Sequence, residues 1–410
     1  MKKWDVVVVG GGPAGTYAAY LLSKEGFRTL LVEEHQEIGH PVQCAGMINS
    51  RILHLPGLSS LSKDTILNRV SGAFVHSPRG RVLRVQGREE KAVIVDRSLF
   101  DQELSQMAAS EGTEIMLKRR AIGVKMGDKG VNISYKGGGE RGELKATLLV
   151  LAEGSTRRLT RELFGGKKEV LVGLGLESSP RNLDMSENDV HLYLGSFAPT
   201  FFSWAIPKGN GGVRVGLAYS SSSGLRMEDT LMRFLKEAPL KETLGVSGEE
   251  ILRTSYHLVA GSIPLGAERE IMRGRVLLLG DSAGMAKPTT GGGIYPSLYT
   301  ASQISDVLIT FLAGEMDIKE LGRRANKIWW RRMGKELYRS MKLRNLYLSL
   351  SSEEIEDLFT ALGEERIQRY ISAKGDIDRP FLLALGIYRR SETIRRIVMN
   401  HLKEVGGALL

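Results

Sequence analysis

Three glycines carry the first chemistry in this chain. Gly10, Gly12 and Gly15 stand in the spacing G-x-G-x-x-G, directly after an apolar run at 4–9 that ends in four valines. A turn of this kind fits a dinucleotide pyrophosphate. Gly10 permits the turn, Gly12 lets the backbone come close to the phosphates, and Gly15 lets a helix pack on the strand. The helix start at Pro13 and Ala14 adds free N–H groups and the positive end of its dipole. Glu33 follows Gly15 by 18 positions and ends a second apolar stretch at 29–32, with Glu34 beside it. A carboxylate there accepts hydrogen bonds from ribose hydroxyls. Gly137, Gly139 and Gly142 repeat the spacing within a polar loop, with no strand entering and no helix leaving, and read as a hairpin turn. Cys44 is the only cysteine. That excludes an intrachain disulfide and a cysteine metal site, and fits a reducing compartment. The seven histidines are scattered without an i,i+4 pair, so no metal is expected.

These residues need a strand at 4–9, a helix at 13–24 and a strand at 29–32 to bring them together. Further pieces follow in order. Asp96 and Arg97 open a helix through 109. An apolar strand at 146–152 runs into Glu153 and Gly154, with an antiparallel excursion at 122–135 before it. A strand at 276–279 runs into Gly280 and Asp281. Gly291, Gly292, Gly293 and Ile294 lead into another helix. This series resembles the glutathione-reductase-type FAD fold of the aromatic hydroxylase branch. The resemblance implies that Asp281 binds the ribityl chain of FAD. It also implies that the 291–293 turn aims helix N–H groups at the pyrimidine side of the flavin, favouring negative charge on the reduced ring.

The segment Pro41-Val42-Gln43-Cys44-Ala45-Gly46 resembles the P-V-x-C-x-G segment of archaeal geranylgeranyl reductases, and 288–294 resembles their P-x-T-G-G-G-I turn. That family also carries P-x-x-Y-x-W-x-F-P. The matching positions here are Pro199, Phe202, Trp204, Ile206 and Pro207, with Phe202 in place of tyrosine and Ile206 in place of phenylalanine. The resemblance implies that Cys44 lies beside the flavin and supports catalysis. The patch of Phe201, Phe202, Trp204 and Ile206 reads either as a core strand or as a greasy wall for a long isoprenoid, worth about 0.8 kcal/mol per buried CH₂. Together these readings assign Gly10, Gly12, Pro13, Ala14, Gly15, Glu33, Glu34, Cys44, Ala45, Arg97, Glu153, Gly154, Asp281, Gly291, Gly292, Gly293 and Ile294 to the cofactor. Phe202, Trp204, Ile206, Pro207 and Tyr295 are assigned to the substrate.

The expected fold is α/β. A glutathione-reductase-type, Rossmann-like FAD domain takes residues 1–58, 92–165 and 264–313. An inserted antiparallel-sheet substrate domain takes 59–91 and 166–263, and a helical region takes 314–410. The 410 residues are 42% hydrophobic and 25% charged, so the chain is globular rather than disordered. No apolar run reaches the roughly 18 residues needed to span a bilayer, and the N-terminus lacks a cleavage pattern, so a cytoplasmic protein is expected. The net charge is +10, and residues 319–344 alone hold ten basic and two acidic residues. That run reads as a solvated helix face or as contact with an anionic membrane at the inner face of the cell membrane, with Trp329 and Trp330 as interfacial anchors. No nucleic-acid motif accompanies it.

The function implied is an FAD-dependent reductase saturating isoprenoid C=C bonds of geranylgeranyl-type lipids. No second nucleotide fold accompanies the first, and Glu153 replaces the aspartate of nicotinamide-using hydroxylases. These points favour ferredoxin or a deazaflavin as the external electron donor, with a nicotinamide coenzyme as the other candidate. Two alternatives stand. One is a flavin monooxygenase or halogenase, since residues 202–207 are one residue from the W-x-W-x-I-P segment of flavin-dependent halogenases. The other is an electron-transfer flavoprotein acting on a lipid or quinone.

Overall fold

A computed structural model describes residues 3–87, 89–401 and 403. The four valines at 6–9 form most of the strand Lys3–Val9 and are buried on both faces, as a central parallel strand requires. Thr29–Val32 and Glu140–Leu151 pair with it in parallel on its two sides. Glu114–Met116 and Val276–Leu278 extend the sheet outward, again in parallel. Pro13–Lys24 crosses from the first strand to the second, and Arg97–Ser110 and Ile294–Leu312 pack against it. Asp96 caps the second of these helices by accepting from the N–H groups of Ser98 and Leu99.

The strand expected at 146–152 is longer than its apolar stretch. Its first half pairs antiparallel with Gly130–Gly137, so Glu140–Leu151 is at once a hairpin arm and a sheet strand. Gly138 and Gly139 turn that hairpin at φ +57° and +82°, as the polar second glycine cluster predicts.

A seven-stranded sheet runs Ser255–Leu265, Glu169–Ser178, Gly212–Ser220, Ser203–Gly209, Asp189–Tyr193, Gly72–His76, Val82–Gln86. All its pairs are antiparallel except Asp189–Tyr193 with Gly72–His76. One face of Gly212–Ser220 buries Val213, Val215, Leu217 and Tyr219 in a core that includes Phe234 of the helix Met227–Glu237. Arg214, Gly216 and Ala218 take the other face by the two-residue period of a strand. Met47–Asn49, Ala92–Val95 and Ile66–Val70 form a third, small sheet. The architecture is α/β with mixed sheets. No helix among the described residues is long and apolar enough to cross a membrane.

From Ile318 to Asn400 the chain is mainly helical: Ile318–Trp329, a π-helical turn Trp330–Gly334, Lys335–Ser349, Ser352–Gly363, Glu365–Lys374, Pro380–Tyr388 and Glu392–Asn400. Here the expectation for the basic run fails in two places. Trp329 is 0% exposed and its indole N–H donates to the Glu268 carbonyl at 2.8 Å, so it anchors the helix inward and not to a lipid interface. Arg344 is also buried, donating to the Thr200 carbonyl at 2.8 Å and to Glu169 at 2.5 Å. Trp330 lies under the Arg269 guanidinium and tilts against Tyr338.

Candidate functional site

The C-terminal ends of the parallel strands open onto one large cavity of about 870 Å³. It begins at Gly10, Gly11 and Gly12. It passes Cys44, Arg97 and Asp281, and continues between the seven-stranded sheet and the helices after residue 365. Of the residues assigned to the cofactor, all line it except Gly15. Of those assigned to the substrate, Phe202, Trp204 and Ile206 line it, and Pro207 and Tyr295 do not. Pro207 is buried in its strand, where its carbonyl accepts from the Asn68 side chain at 3.0 Å. Tyr295 points into the helix packing, stacked on Tyr299 and covered by the Arg51 guanidinium. Both are corrections to the sequence reading: adjacency in a motif did not give the side chain the cavity face.

The three glycines of the first turn divide the work. A Cβ at Gly15 would lie 2.1 Å from the Gly10 carbonyl oxygen and press on Ala152 and Val8, so Gly15 serves helix–strand packing. Gly10 has φ +106°, and its Cβ would strike the Ala152 carbonyl. Gly12 differs from both. Its φ is −72° and nothing lies within 4 Å of where its Cβ would be. The protein's own packing does not need that glycine, but a ligand seated on the backbone there does. Nearby, the Glu33 carboxylate accepts from the Gly11 N–H at 2.6 Å and the His35 N–H at 2.8 Å. Glu33 thus ties the turn to the strand end, with lone pairs to spare for ribose hydroxyls. Glu34 is paired with Arg120 at 3.0 Å.

Two further turns close the middle of the cavity. The Glu153 carboxylate accepts from the N–H groups of Leu159 and Thr160, so it caps the helix Arg158–Phe164 while lining the cavity. Buried Arg157 donates to the Ser282 carbonyl and to Glu268, locking this turn to the one at 280–284. Among the described residues, the Asp281 side chain has no hydrogen-bond partner, although it lines the cavity. Burial pushes its carboxyl up to about 6, against the pull of Arg97 and Arg157. A carboxyl enclosed in the cavity without a protein partner is costly unless a ligand meets it, and the hydroxyl-rich ribityl chain suits that role. Gly293 begins Ile294–Leu312 without a side-chain cap, leaving first-turn N–H groups free. The residues present therefore fit FAD.

The Gly46 N–H donates to the Cys44 sulfur at 3.3 Å, and the Arg97 guanidinium lies near enough for the two to interact. Arg97 also clasps Asp101 at 2.8 Å. Burial works against the Arg97 charge, but Asp101 and the cysteine outweigh it and hold its pKa above the usual value. Phe201 and Phe202 stack at 4.3 Å, and Trp204 meets Phe202 edge-on. Val190, Leu192, Val259 and Ile263 complete an apolar wall that the motif did not reveal.

A cluster absent from the sequence reading stands beside the 291–293 turn. The Lys287 ammonium pairs with Asp378 at 2.5 Å, and both side chains are almost wholly buried. Asp378 also accepts from Asn49 and, at 3.0 Å, from Arg51, which reaches Asp376 at 2.6 Å. No local pattern marks these partners, since Lys287 and Asp378 are 91 positions apart.

Two outcomes follow from this geometry. Gly12→Val should keep stability within about 0.5 kcal/mol, as at an unencumbered site, while the purified protein loses bound FAD. Gly15→Ala should instead cost roughly 1–3 kcal/mol by overpacking. Denaturant unfolding and flavin absorbance separate the two. For Asp281, a folded pKa of about 6 lies above the ordinary 3.8. The folded form then holds the proton more tightly, and its contribution is lost as pH rises from about 4 through about 6. Unfolding of cofactor-free protein across that window should show a falling stability that Asp281→Asn flattens.

The chain matches the FAD binding domain family over residues 3–323. It is 30% identical over 370 residues to the digeranylgeranylglycerophospholipid reductase of Methanocaldococcus jannaschii, covering 88% of this chain and 91% of that one. Among solved structures, a geranylgeranyl bacteriochlorophyll reductase-like protein from Thermoplasma acidophilum superposes with a TM-score of 0.84. It covers 99% of this chain and 100% of that one at 23% identity. The myxobacterial chondrochloren halogenase has a TM-score of 0.69 at 16% identity, covering 99% and 98%. At those identities both structures speak for the fold alone. With FAD as its cofactor, the chain belongs to the FAD binding domain family and, within it, to the geranylgeranyl reductases.

Proposed function

We propose that this chain is an FAD-dependent reductase that saturates isoprenoid C=C bonds of geranylgeranyl-type lipids or their precursors. The observation that carries this reading is the single cavity that joins the FAD cradle to a long apolar wall, with Cys44 at the junction. Bound and reduced, FAD would supply a hydride to one alkene carbon, while an acid delivers a proton to the other. The chain's residues do the rest. Phe201, Phe202, Trp204 and Ile206 hold the polyisoprenoid by burial, at about 0.8 kcal/mol per CH₂. They also exclude water from the junction, where half-buried Cys44, Arg97 and Asp281 stand. Phe202 offers no hydroxyl, so that position gives the wall no polar handle. Cys44 acts beside the cofactor, its sulfur oriented by the Gly46 N–H and kept near the Arg97 charge. The helix start at 293 favours negative charge at the facing end of the cofactor.

The working division of the chain is an FAD domain at 1–58, 92–165 and 264–313, a substrate domain at 59–91 and 166–263, and a helical region from 314. Electrons arrive from an external donor, a ferredoxin, a deazaflavin or a nicotinamide coenzyme. The lipid is reached at the inner face of the cell membrane through the exposed cations Lys319, Lys327, Arg331, Arg332 and Lys335. Arg323 and Arg324 share Glu320 and add less.

Anaerobic single turnover tests the reaction. Reduced holoenzyme mixed with a geranylgeranyl lipid should lose one alkene for each flavin reoxidised. An unchanged alkene, or a product that forms only with oxygen, overturns the reading in favour of an electron carrier or a monooxygenase. Flotation tests the surface. Recovery with anionic vesicles should exceed that with neutral ones and fall with salt, since screening shortens the field to about 8 Å at physiological ionic strength. Equal recovery, or none, refutes the contact.

A further inference from the structure

A buried arginine on the substrate sheet reaches across to the turn that carries Cys44. Arg214 lies in Gly212–Ser220, opposite Ile206 of the apolar wall, and is 6% exposed. Its Nη1 donates to the Ala45 carbonyl at 2.9 Å and to the Val95 carbonyl at 2.8 Å. Its Nε donates to Glu177 at 2.7 Å. The other Glu177 oxygen accepts from Lys208 at 2.6 Å. The Ala45 carbonyl and the Gly46 N–H are the two ends of one peptide, and that N–H is the one that donates to the Cys44 sulfur. Gly46 has φ +73°, and a Cβ there would sit 2.3 Å from the Arg214 guanidinium. The turn is therefore shaped around the arginine as much as held by it.

Three bonds from one planar fork fix more than distance. A guanidinium bound in three directions cannot rotate without breaking one of them, so the peptide plane at 45–46 is fixed as well. The same strand face then continues to Gly216, where a Cβ would strike Trp204. Arg214 is thus the polar link between the wall that would hold the lipid and the turn that holds the thiol.

We propose that Arg214, braced by Glu177, is a positioning residue for Cys44: it sets the turn at 44–46 against the apolar wall so that the thiol keeps one orientation toward the cofactor. This rests on the reading that Cys44 acts beside the cofactor. The hold on the turn can be measured without that reading, because Cys44 is the only thiol in the chain.

The test compares wild-type holoenzyme with Arg214→Met and Arg214→Lys. The first readout is the rate of iodoacetamide alkylation of Cys44, followed by mass. The second is steady-state turnover. Released from its anchor, the turn should expose the sulfur, and alkylation should quicken about tenfold or more in flavin-loaded Arg214→Met. A misplaced group near the chemistry commonly costs up to about 10²-fold. Here kcat should fall at least about tenfold while KM stays within about twofold. Lysine keeps the charge but not the fork, so Arg214→Lys should resemble Arg214→Met. Added guanidinium should restore turnover to Arg214→Ala, which a general loss of packing would not allow. Unchanged alkylation and kcat in a folded, flavin-loaded Arg214→Met overturns the proposal. If that variant does not fold, Glu177→Gln carries the test. Faster alkylation then supports the brace, and an unchanged rate overturns it. Full turnover by Cys44→Ala would refute the role of the thiol while leaving the alkylation result on Arg214 intact.

Discussion

The carbonyl oxygen of Gly10 lies where the side chain of residue 15 would be, and the rest of the molecule is arranged around that contact. It sets how closely the first helix crosses the first strand. It therefore sets where the helix start faces and where the backbone at Gly12 lies open. The neighbouring turns are fitted to the same point. Ala152 touches both Gly10 and Gly15, and Ala14 lies close against Gly280. Arg157 then ties the second turn to the third through the Ser282 carbonyl. Three distant stretches of chain so form one cradle, and none can shift without moving the others.

That cradle was legible in the sequence because its causes are local. A turn that needs positive φ or a close approach selects glycine, and a fully buried parallel strand selects an unbroken apolar run. The helix at 13–24, the strand at 29–32 and the hairpin at the second glycine cluster all followed from such short-range rules. The length of Glu140–Leu151 did not, because half of it is polar and is held by pairing with its hairpin partner. Pro207 belongs to a motif and Tyr295 stands next to one, but the backbone turns both away from the cavity.

What stayed hidden was the long-range polar bracing. Arg214 meets a carbonyl 169 positions away, and Arg344 meets Glu169 across 175. Nothing in the neighbourhood of either arginine announces its partner. In a basic run such as 319–344, charge alone suggests solvent. Burial of Trp329 and Arg344 depends on what the fold lays over them. The cavity wall was half legible for a similar reason. Phe202, Trp204 and Ile206 stand in one short segment, whereas Val190, Leu192, Val259 and Ile263 come from strands assembled only in the folded sheet.

The pairing of Lys287 with Asp378 also orders events in time. A chain grows from its N-terminus, so the glycine turn at 291–293 emerges well before the carboxylate that neutralises its neighbouring ammonium. Until residue 378 is made, Lys287 faces the cavity unpaired, and a buried charge without its partner is strongly unfavourable. A nascent chain stalled before that point therefore lacks the carboxylate that neutralises Lys287 beside the 291–293 turn.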